Sequence, residues 1–139
     1  MYLLDTNAIS EPKRARPDPN VVRWLSDQLL SDLHLSVITV GELRRGIVRL
    51  ETGRRRDDLD FWLEEMIFRY DQRILPVDLA VTERWASLAE VNRAAGRASE
   101  MTDELIAATA HVHGLTVVTR NVRHFEHSGC RVLSPWSAL

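Results

Sequence analysis

The sequence has a single cysteine, Cys130, among 139 residues, so it can form neither an internal disulfide nor a zinc site built from cysteines. No segment approaches the ~18 consecutive apolar residues that cross a membrane, and the first residues lack a signal-peptide pattern. Lys13 is the only lysine among 18 basic side chains, and 20 acidic side chains bring the formal net charge to −2. These shortages predict a cytoplasmic protein without a membrane segment. The chain has no net positive charge, so its composition alone does not point to a nucleic-acid partner.

Short apolar segments alternate with longer amphipathic ones along the chain. Strands are predicted at 2–4, 33–38, 73–77, 115–119 and 130–133. The predicted helices start near Asp18-Pro19, Thr39, residue 57, Asp78 and Thr102, and the last one ends at Gly114. This alternation predicts an α/β protein with one domain over residues 1–139. Its central sheet should be mainly parallel, with about five strands and with helices on both faces.

An acidic residue, Asp5, directly follows the first predicted strand, Tyr2-Leu3-Leu4. That strand is wholly apolar, as expected of a strand buried on both faces of a parallel sheet. Asp is common in turns, where its side chain bonds nearby backbone amides, and this is one interpretation of Asp5. Ligands of open parallel sheets, however, bind beyond the carboxyl ends of the strands. The position of Asp5 therefore also makes it a candidate site residue.

Two further acidic residues occupy comparable positions, and each has a structural interpretation too. Glu42 lies three residues after Thr39, which is the Thr-x-x-Glu spacing of a capping box at a helix start. Asp103 opens an alanine-rich helix, where the positive end of the helix dipole stabilises an acid by roughly 0.3–1 kcal/mol. Asp103 also heads the apolar face of that helix, and an unpartnered carboxylate there would tend to protonate.

If Asp5, Glu42 and Asp103 converge, their charges need a cation. Two carboxylates about 4 Å apart repel by roughly 4 kcal/mol at an effective dielectric constant near 20. Ligands that are all oxygen favour Mg²⁺ or Mn²⁺ over zinc. Such an ion polarises a phosphodiester and lowers the pKa of a bound water. Thr6 and Asn7 are then expected to hold the carboxylates in place.

Four stretches of the chain together resemble the PIN-domain nucleases, specifically the VapC-type toxins of bacterial toxin–antitoxin pairs. They are LLDTNAIS, SVITVGELRRGI, TDELIAATAHVHGLTVVTRNVRHFE and VLSPW, in the order and spacing of the family. The resemblance implies a Mg²⁺- or Mn²⁺-dependent endoribonuclease that is usually dimeric and is inhibited by a small, VapB-like antitoxin. The acids that match the metal site of the family are Asp5, Glu42 and Asp103.

The chain departs from the family pattern at one place. Many members carry a fourth acid in the segment equivalent to TRNVRHFE, where this chain has Asn121 and His124 at the candidate positions. The departure favours one metal ion over two, with Thr119 and Asn121 as supporting residues rather than ligands. The histidines are expected to pack or to cap helices rather than to take part in the reaction.

An acidic metal site repels RNA, so neighbouring positive charge must guide the substrate. Four arginines flank the predicted site and are candidates for phosphate contacts: Arg14, Arg16, Arg120 and Arg123. Arg44 and Arg45, on the helix of Glu42, are candidates for contact with an antitoxin instead.

Three alternatives belong to other functional classes. A phosphatase with an aspartyl nucleophile places Asp at the same strand end, but it normally has a second Asp where this chain has Asn7. A metal-dependent DNA nuclease would use the same three acids. In a non-catalytic binding module the acids would only cap helices, and replacing Asp5 would change no activity.

Overall fold

The computed structural model describes residues 1–136, so the last three residues of the domain expected over 1–139 lie outside the described part. Within it, a parallel sheet of five strands has the order β3-β2-β1-β4-β5. The strands are β1 Tyr2–Leu4, β2 Leu33–Ser36, β3 Ile74–Leu75, β4 Thr116–Val118 and β5 Val132–Leu133. The helices are α1 Thr6–Ser10, α2 Pro19–Asp27, α3 Val37–Val48, α4 Arg54–Tyr70, α5 Leu79–Ala94 and α6 Met101–His113. The predicted α/β architecture is confirmed.

The central strand β1 separates two hydrophobic cores because its side chains alternate between the faces of the sheet. Leu4 packs on one face among residues of α1, α3 and α4, including Leu43 and Leu63. Leu3 packs on the other face against α5, α6 and β4, including Ile106. Both leucines are 0% exposed, as the apolar run in the sequence predicts.

Side-chain caps define several helix ends where the sequence places them. Asp18 accepts the backbone N–H of Asn20 at the start of α2, and Pro19 follows as the first helical residue. Asp78 accepts the N–H of Val81 at the start of α5. Gly114 ends α6 with φ 65°, the left-handed conformation that glycine adopts without a steric cost.

Two sequence predictions near the site are wrong in detail. The second strand ends at Ser36 rather than at residue 38, because the Ser36 hydroxyl accepts the N–H of Ile38 and caps α3. Helix α3 therefore begins at Val37, and Thr39 lies inside it instead of at its start. The short helix α1, directly after Asp5, was not predicted.

The carboxyl ends of β1, β2 and β4 form one edge of the sheet. The backbone N–H of Asp5 donates to the carbonyl of Val118 at 3.0 Å, so the end of β1 stays attached to the end of β4. Helix α3 starts directly after β2 at the same edge. Among residues 1–136, no helix combines the length and the apolar character that crossing a bilayer requires.

Candidate active site at the carboxyl edge of the sheet

Asp5 is a buried carboxylate that also serves as a helix cap. Its Oδ1 accepts the N–H of Ala8 at 2.9 Å and caps α1, so the turn interpretation holds for this oxygen. Only 6% of Asp5 is exposed, and burial raises its pKa from 3.8 to about 6. Hydrogen bonds from Thr119 and Ala8 lower this pKa, whereas the negative charges of Asp103 and Glu42 raise it further. The charges of the other two predicted acids therefore act on Asp5.

Thr119 supports Asp5 from the end of β4. Its side chain is fully buried and hydrogen-bonds the Asp5 carboxyl, which lowers the pKa of that acid. The same hydroxyl oxygen accepts the backbone N–H of Asn121 at 2.9 Å. Asn121 was predicted as a supporting residue; in the structure its backbone bonds Thr119 and the residue is exposed. Thr119 thus fixes both the acid and the following turn.

Glu42 is held by α1 and does not form the predicted capping box. The Thr6 hydroxyl donates to Glu42 Oε1 at 2.7 Å across 36 residues of sequence. Because Ser36 caps α3, Glu42 lies one turn too far along the helix to cap its first residue. The capping interpretation of Glu42 is therefore wrong. Its carboxylate is oriented toward the segment that follows Asp5.

Asp103 lies in the first turn of α6 and is paired with a histidine. Its Oδ2 is 2.8 Å from Nδ1 of His124, which follows β4. Burial raises the pKa of Asp103, the His124 contact lowers it, and the charges of Glu100 and Glu104 raise it. The sequence indicated that Asp103 would need a partner, but it did not identify His124. The usable signal was that His124 stands at one of the two positions where an acid was expected.

The other predicted residues are mostly exposed. Asn7 is exposed, so it is not a buried support for the carboxylates. Arg14 is 3.6 Å from the buried carboxylate of Glu11. Arg16 and Arg120 are exposed.

Arg44, proposed as an antitoxin contact, lies against α4 of its own chain. It pairs with Asp60 and, at 2.6 Å, with Glu64.

Two clefts open beside two of the acids. The first, of about 490 Å³, is lined by Asp103, His124, Arg123 and Arg97, among others. The second, of about 310 Å³, is lined by residues that include Thr6, Glu42, Lys13, Arg14 and Arg55. Each cleft therefore combines one of the acids with cationic side chains, and such cations can neutralise the phosphates of a bound nucleic acid.

The carboxylate oxygens of Asp5, Glu42 and Asp103 suit a hard divalent cation, but they would supply only part of its coordination shell. Within residues 1–136, no three His, Cys, Asp or Glu side chains converge closely enough to surround an ion unaided. Mg²⁺ usually keeps several waters and takes phosphate oxygens from its substrate, so one or two carboxylates suffice. A buried Asp5 with two other acids acting on its charge is a carboxylate that a cation would stabilise.

Comparison with known proteins agrees with this geometry. The PIN domain family matches residues 2–128, which is most of the chain. The chain belongs to the PIN-domain family. Ribonucleases of this family depend on divalent metal ions. The predicted resemblance is confirmed, and the aspartyl phosphatase is not retained as an alternative.

Three curated relatives align with nearly the full PIN-domain chain. It is 45% identical over 139 residues to the plasmid stability protein StbB of Pseudomonas syringae pv. tomato, covering 99% of this chain and 100% of StbB. It is 42% identical over 137 residues to the toxin FitB of Neisseria gonorrhoeae, with 98% and 99% covered. Over 137 residues it is 39% identical to the VapC ribonuclease Y4jK of Sinorhizobium fredii, with 98% of each chain covered.

Solved structures of PIN-domain proteins share the fold. FitAcB from Neisseria gonorrhoeae aligns with a TM-score of 0.94 and 40% identity, covering 99% of this chain and 100% of that one. FitAB bound to an IR36 DNA fragment aligns with a TM-score of 0.94 and 38% identity, with 100% and 98% covered. VapBC-5 of Mycobacterium tuberculosis, from a family of toxin–antitoxin systems, aligns with a TM-score of 0.68 and 25% identity, with 96% and 95% covered.

Proposed function

We propose that this PIN-domain chain is the toxin of a toxin–antitoxin pair and acts as a metal-dependent endoribonuclease. It hydrolyses phosphodiester bonds in RNA with a metal-activated water as the nucleophile. The observation that carries the proposal is the buried Asp5 carboxylate at the end of the central strand, whose pKa is raised by burial and by the charges of Asp103 and Glu42. A relative that is 39% identical is named a VapC ribonuclease, which supports RNA as the substrate.

The catalytic and metal-holding residues in this proposal are Asp5, Glu42 and Asp103, with Mg²⁺ as the resident ion and Mn²⁺ as a substitute. A bound ion would polarise the phosphodiester, lower the pKa of a bound water and balance the negative charge of the departing oxyanion. The protein supplies the orientation of each carboxylate. Ala8 and Thr119 fix Asp5.

Two side-chain contacts orient the remaining acids. Thr6 fixes Glu42, and His124 fixes Asp103. Such supporting bonds are the part of a metal site that keeps the ligand oxygens in place before the ion arrives.

Thr6→Val tests the role of the bond between Thr6 and Glu42. The variant removes the donor but leaves all three acids, so we expect the Mg²⁺ concentration for half-maximal cleavage to rise by about 10–100-fold. Thr82→Val is the matched control, because it removes a threonine hydroxyl on α5 that donates to the backbone carbonyl of Asp78 and to none of the three acids among residues 1–136. Equal metal requirements in the two variants would contradict the role assigned to Thr6.

The proposal includes partners and location. The chain, over residues 1–139, acts as one PIN domain in the cytoplasm, forms a homodimer, and binds a cognate VapB-like antitoxin. Solved relatives include FitAB with DNA and a VapBC toxin–antitoxin member, which supports an antitoxin partner. RNA contacts are assigned to Arg14, Arg16, Arg120 and Arg123. Of these, Arg14 and Arg123 line the two clefts beside the acids.

A cleavage assay tests the function directly. Purified protein is incubated with structured RNA in Mg²⁺, in Mn²⁺ or in EDTA, and then with the cognate antitoxin added. We expect cleavage only with a divalent ion and inhibition by the antitoxin. Single-stranded and duplex DNA of the same sequence are included as competing substrates. Preferential cleavage of DNA would identify a DNA nuclease, and no cleavage of either would identify a binding module.

A further inference from the structure

The carboxyl end of α5 is built by a local motif that fixes the backbone of Arg97. Gly96 has φ 69°, and its N–H donates to the carbonyl of Arg93. The N–H of Arg97 donates to the carbonyl of Asn92 at 2.9 Å. These two bonds across a left-handed glycine make a Schellman motif, which turns the chain sharply out of the helix. The backbone of Arg97 is therefore placed by the end of the helix and not by a free loop.

The side chains of this motif make a polar contact where an apolar one is usual. In a Schellman motif the residue after the glycine commonly packs an apolar side chain on the last full turn of the helix. Here Nε of Arg97 donates to Oδ1 of Asn92 at 3.2 Å. Asn92 is only 8% exposed, and its Nδ2 donates to Glu104 Oε2 at 3.1 Å. Ser99 donates to the same oxygen at 2.6 Å.

This network holds the guanidinium of Arg97 without occupying its outer nitrogens. Among the residues that the structure describes, neither Nη atom of Arg97 donates a hydrogen bond to another side chain or carbonyl, and no acid forms an ion pair with it. A guanidinium presents its donors in a planar fork that suits phosphate oxygens. Because Nε is already fixed by Asn92, less side-chain entropy is lost when the fork binds an anion.

The cleft that contains Asp103 also contains Arg97. Its wall brings Arg97 together with Arg123 and His127 beside the acid. Glu104 faces the same cleft, but it accepts bonds from Asn92 and Ser99. Glu100 is exposed at the start of α6. The cleft beside Glu42 carries its own cations at Lys13, Arg14 and Arg55.

We propose that Arg97, held by buried Asn92, binds a backbone phosphate of the RNA on the Asp103 side of the site. This inference rests on the proposed function and adds a binding residue to it. Arg97 neutralises one phosphate next to the scissile bond, and Asn92 is a positioning residue that acts through Arg97.

Arg93 provides a matched control on the same helix. It lies four residues before Arg97, near the same helix end, and it carries the same charge. Its guanidinium is already engaged with Glu90 through two hydrogen bonds, of 2.9 and 2.5 Å. Substituting Arg93 therefore removes the same charge from the end of α5 without removing a fixed fork from the cleft.

Binding is measured by fluorescence anisotropy of a short unpaired RNA in Mg²⁺, with Asp5→Asn in every variant so that the RNA stays intact. We expect Arg97→Gln to weaken binding about tenfold and to reduce the slope of log affinity against log salt by about 0.7. Arg97→Lys keeps the charge but lacks the fork, so it should weaken binding less and keep the slope. Asn92→Ala should behave like Arg97→Lys, and Arg93→Gln should bind as the parent does.

Each outcome of this experiment decides something. If the parent binds RNA and Arg97→Gln binds equally well with the same salt slope, the assignment of Arg97 is overturned and the proposed function stands. If the parent binds no RNA, this inference fails, and the cleavage assay on the wild-type protein decides the proposed function separately. If Asn92→Ala does not fold, as checked by thermal unfolding, the comparison of Arg97→Lys with Arg97→Gln decides the role of the fork.

Discussion

Asp5→Asn is expected to lower RNA cleavage by at least ~100-fold while leaving the fold intact. Losing a bond that only supports a metal ligand costs about 10–100-fold, so losing a ligand oxygen should cost at least the upper end of that range. Asn remains a good helix cap, so the bond to the N–H of Ala8 survives the substitution. The loss therefore reports the missing charge and not a damaged helix. Single-turnover cleavage of a labelled RNA measures it.

Asp78→Asn is the control that distinguishes the loss of a metal-site carboxylate from the loss of a helix cap. Asp78 precedes α5 as Asp5 precedes α1, and its carboxylate accepts the N–H of Val81 at 3.0 Å. It lies at the start of a different helix and does not contribute to the raised pKa of Asp5. We expect unchanged cleavage for Asp78→Asn and a loss like that of Asp5→Asn for Asp103→Asn. If Asp5→Asn and Asp78→Asn both retained full activity, Asp5 would be only a cap.

The second large effect concerns stability without metal. The raised pKa of Asp5, about 6 against an ordinary 3.8, means that its charged form is disfavoured in the folded protein. One pKa unit corresponds to about 1.4 kcal/mol, so at pH 7 the charge lowers the free energy of unfolding by up to about 3 kcal/mol. In metal-free buffer, Asp5→Asn should therefore be more stable than the wild type by up to that amount.

The sign of the pH dependence follows from the same shift. Between pH 3.8 and about 6 the folded protein binds more protons at Asp5 than the unfolded chain does, so this contribution to stability falls as pH rises. The advantage of Asp5→Asn should be largest above pH 6 and should vanish below pH 3.8. Urea unfolding in EDTA at several pH values measures it. A wild type more stable than Asp5→Asn at pH 7 without metal would contradict the account.

The sequence singled out Asp5 as a candidate site residue because strand-end position is a local property. Tyr2-Leu3-Leu4 is apolar enough to predict a doubly buried strand, and an acid directly after it stands at the open edge of a parallel sheet. The structure adds that Asp5 is a cap and a buried charge at once. The turn and site interpretations of Asp5 did not exclude each other, because the carboxylate that caps α1 is also buried beside the charges of Asp103 and Glu42.

Helix starts were less predictable because two caps competed within four residues. Ser36 and Thr39 are both good N-cap residues, and the Thr39–Glu42 spacing matches a capping box. The chain uses Ser36, which shortens β2 and leaves Glu42 on an inner turn of α3. Local spacing could not choose between them. The choice depends on where β2 leaves the sheet beside β1.

The bonds that orient the site join residues that are distant in the sequence. Thr6 reaches Glu42 across 36 positions, and His124 reaches Asp103 across 21 positions. These hydrogen-bonded pairs depend on how the fold brings the strand ends together, and the spacing of apolar residues along the sequence does not specify that arrangement. His124 was expected to pack or to cap a helix, and Arg97 was not singled out at all. His124 gains its role from the turn after β4, and Arg97 gains its role from the turn after α5.

Anomalous diffraction from a crystal soaked in Mn²⁺ tests the central claim most directly. The account predicts one strong peak bonded to carboxylate oxygens of Asp5 and Asp103, with Glu42 facing it directly or through a water. The same soak of Asp5→Asn should lose the peak. Density with no peak near these acids, or a peak of equal height in the variant, would contradict the claim that the acids at the end of β1 and the start of α6 hold the ion.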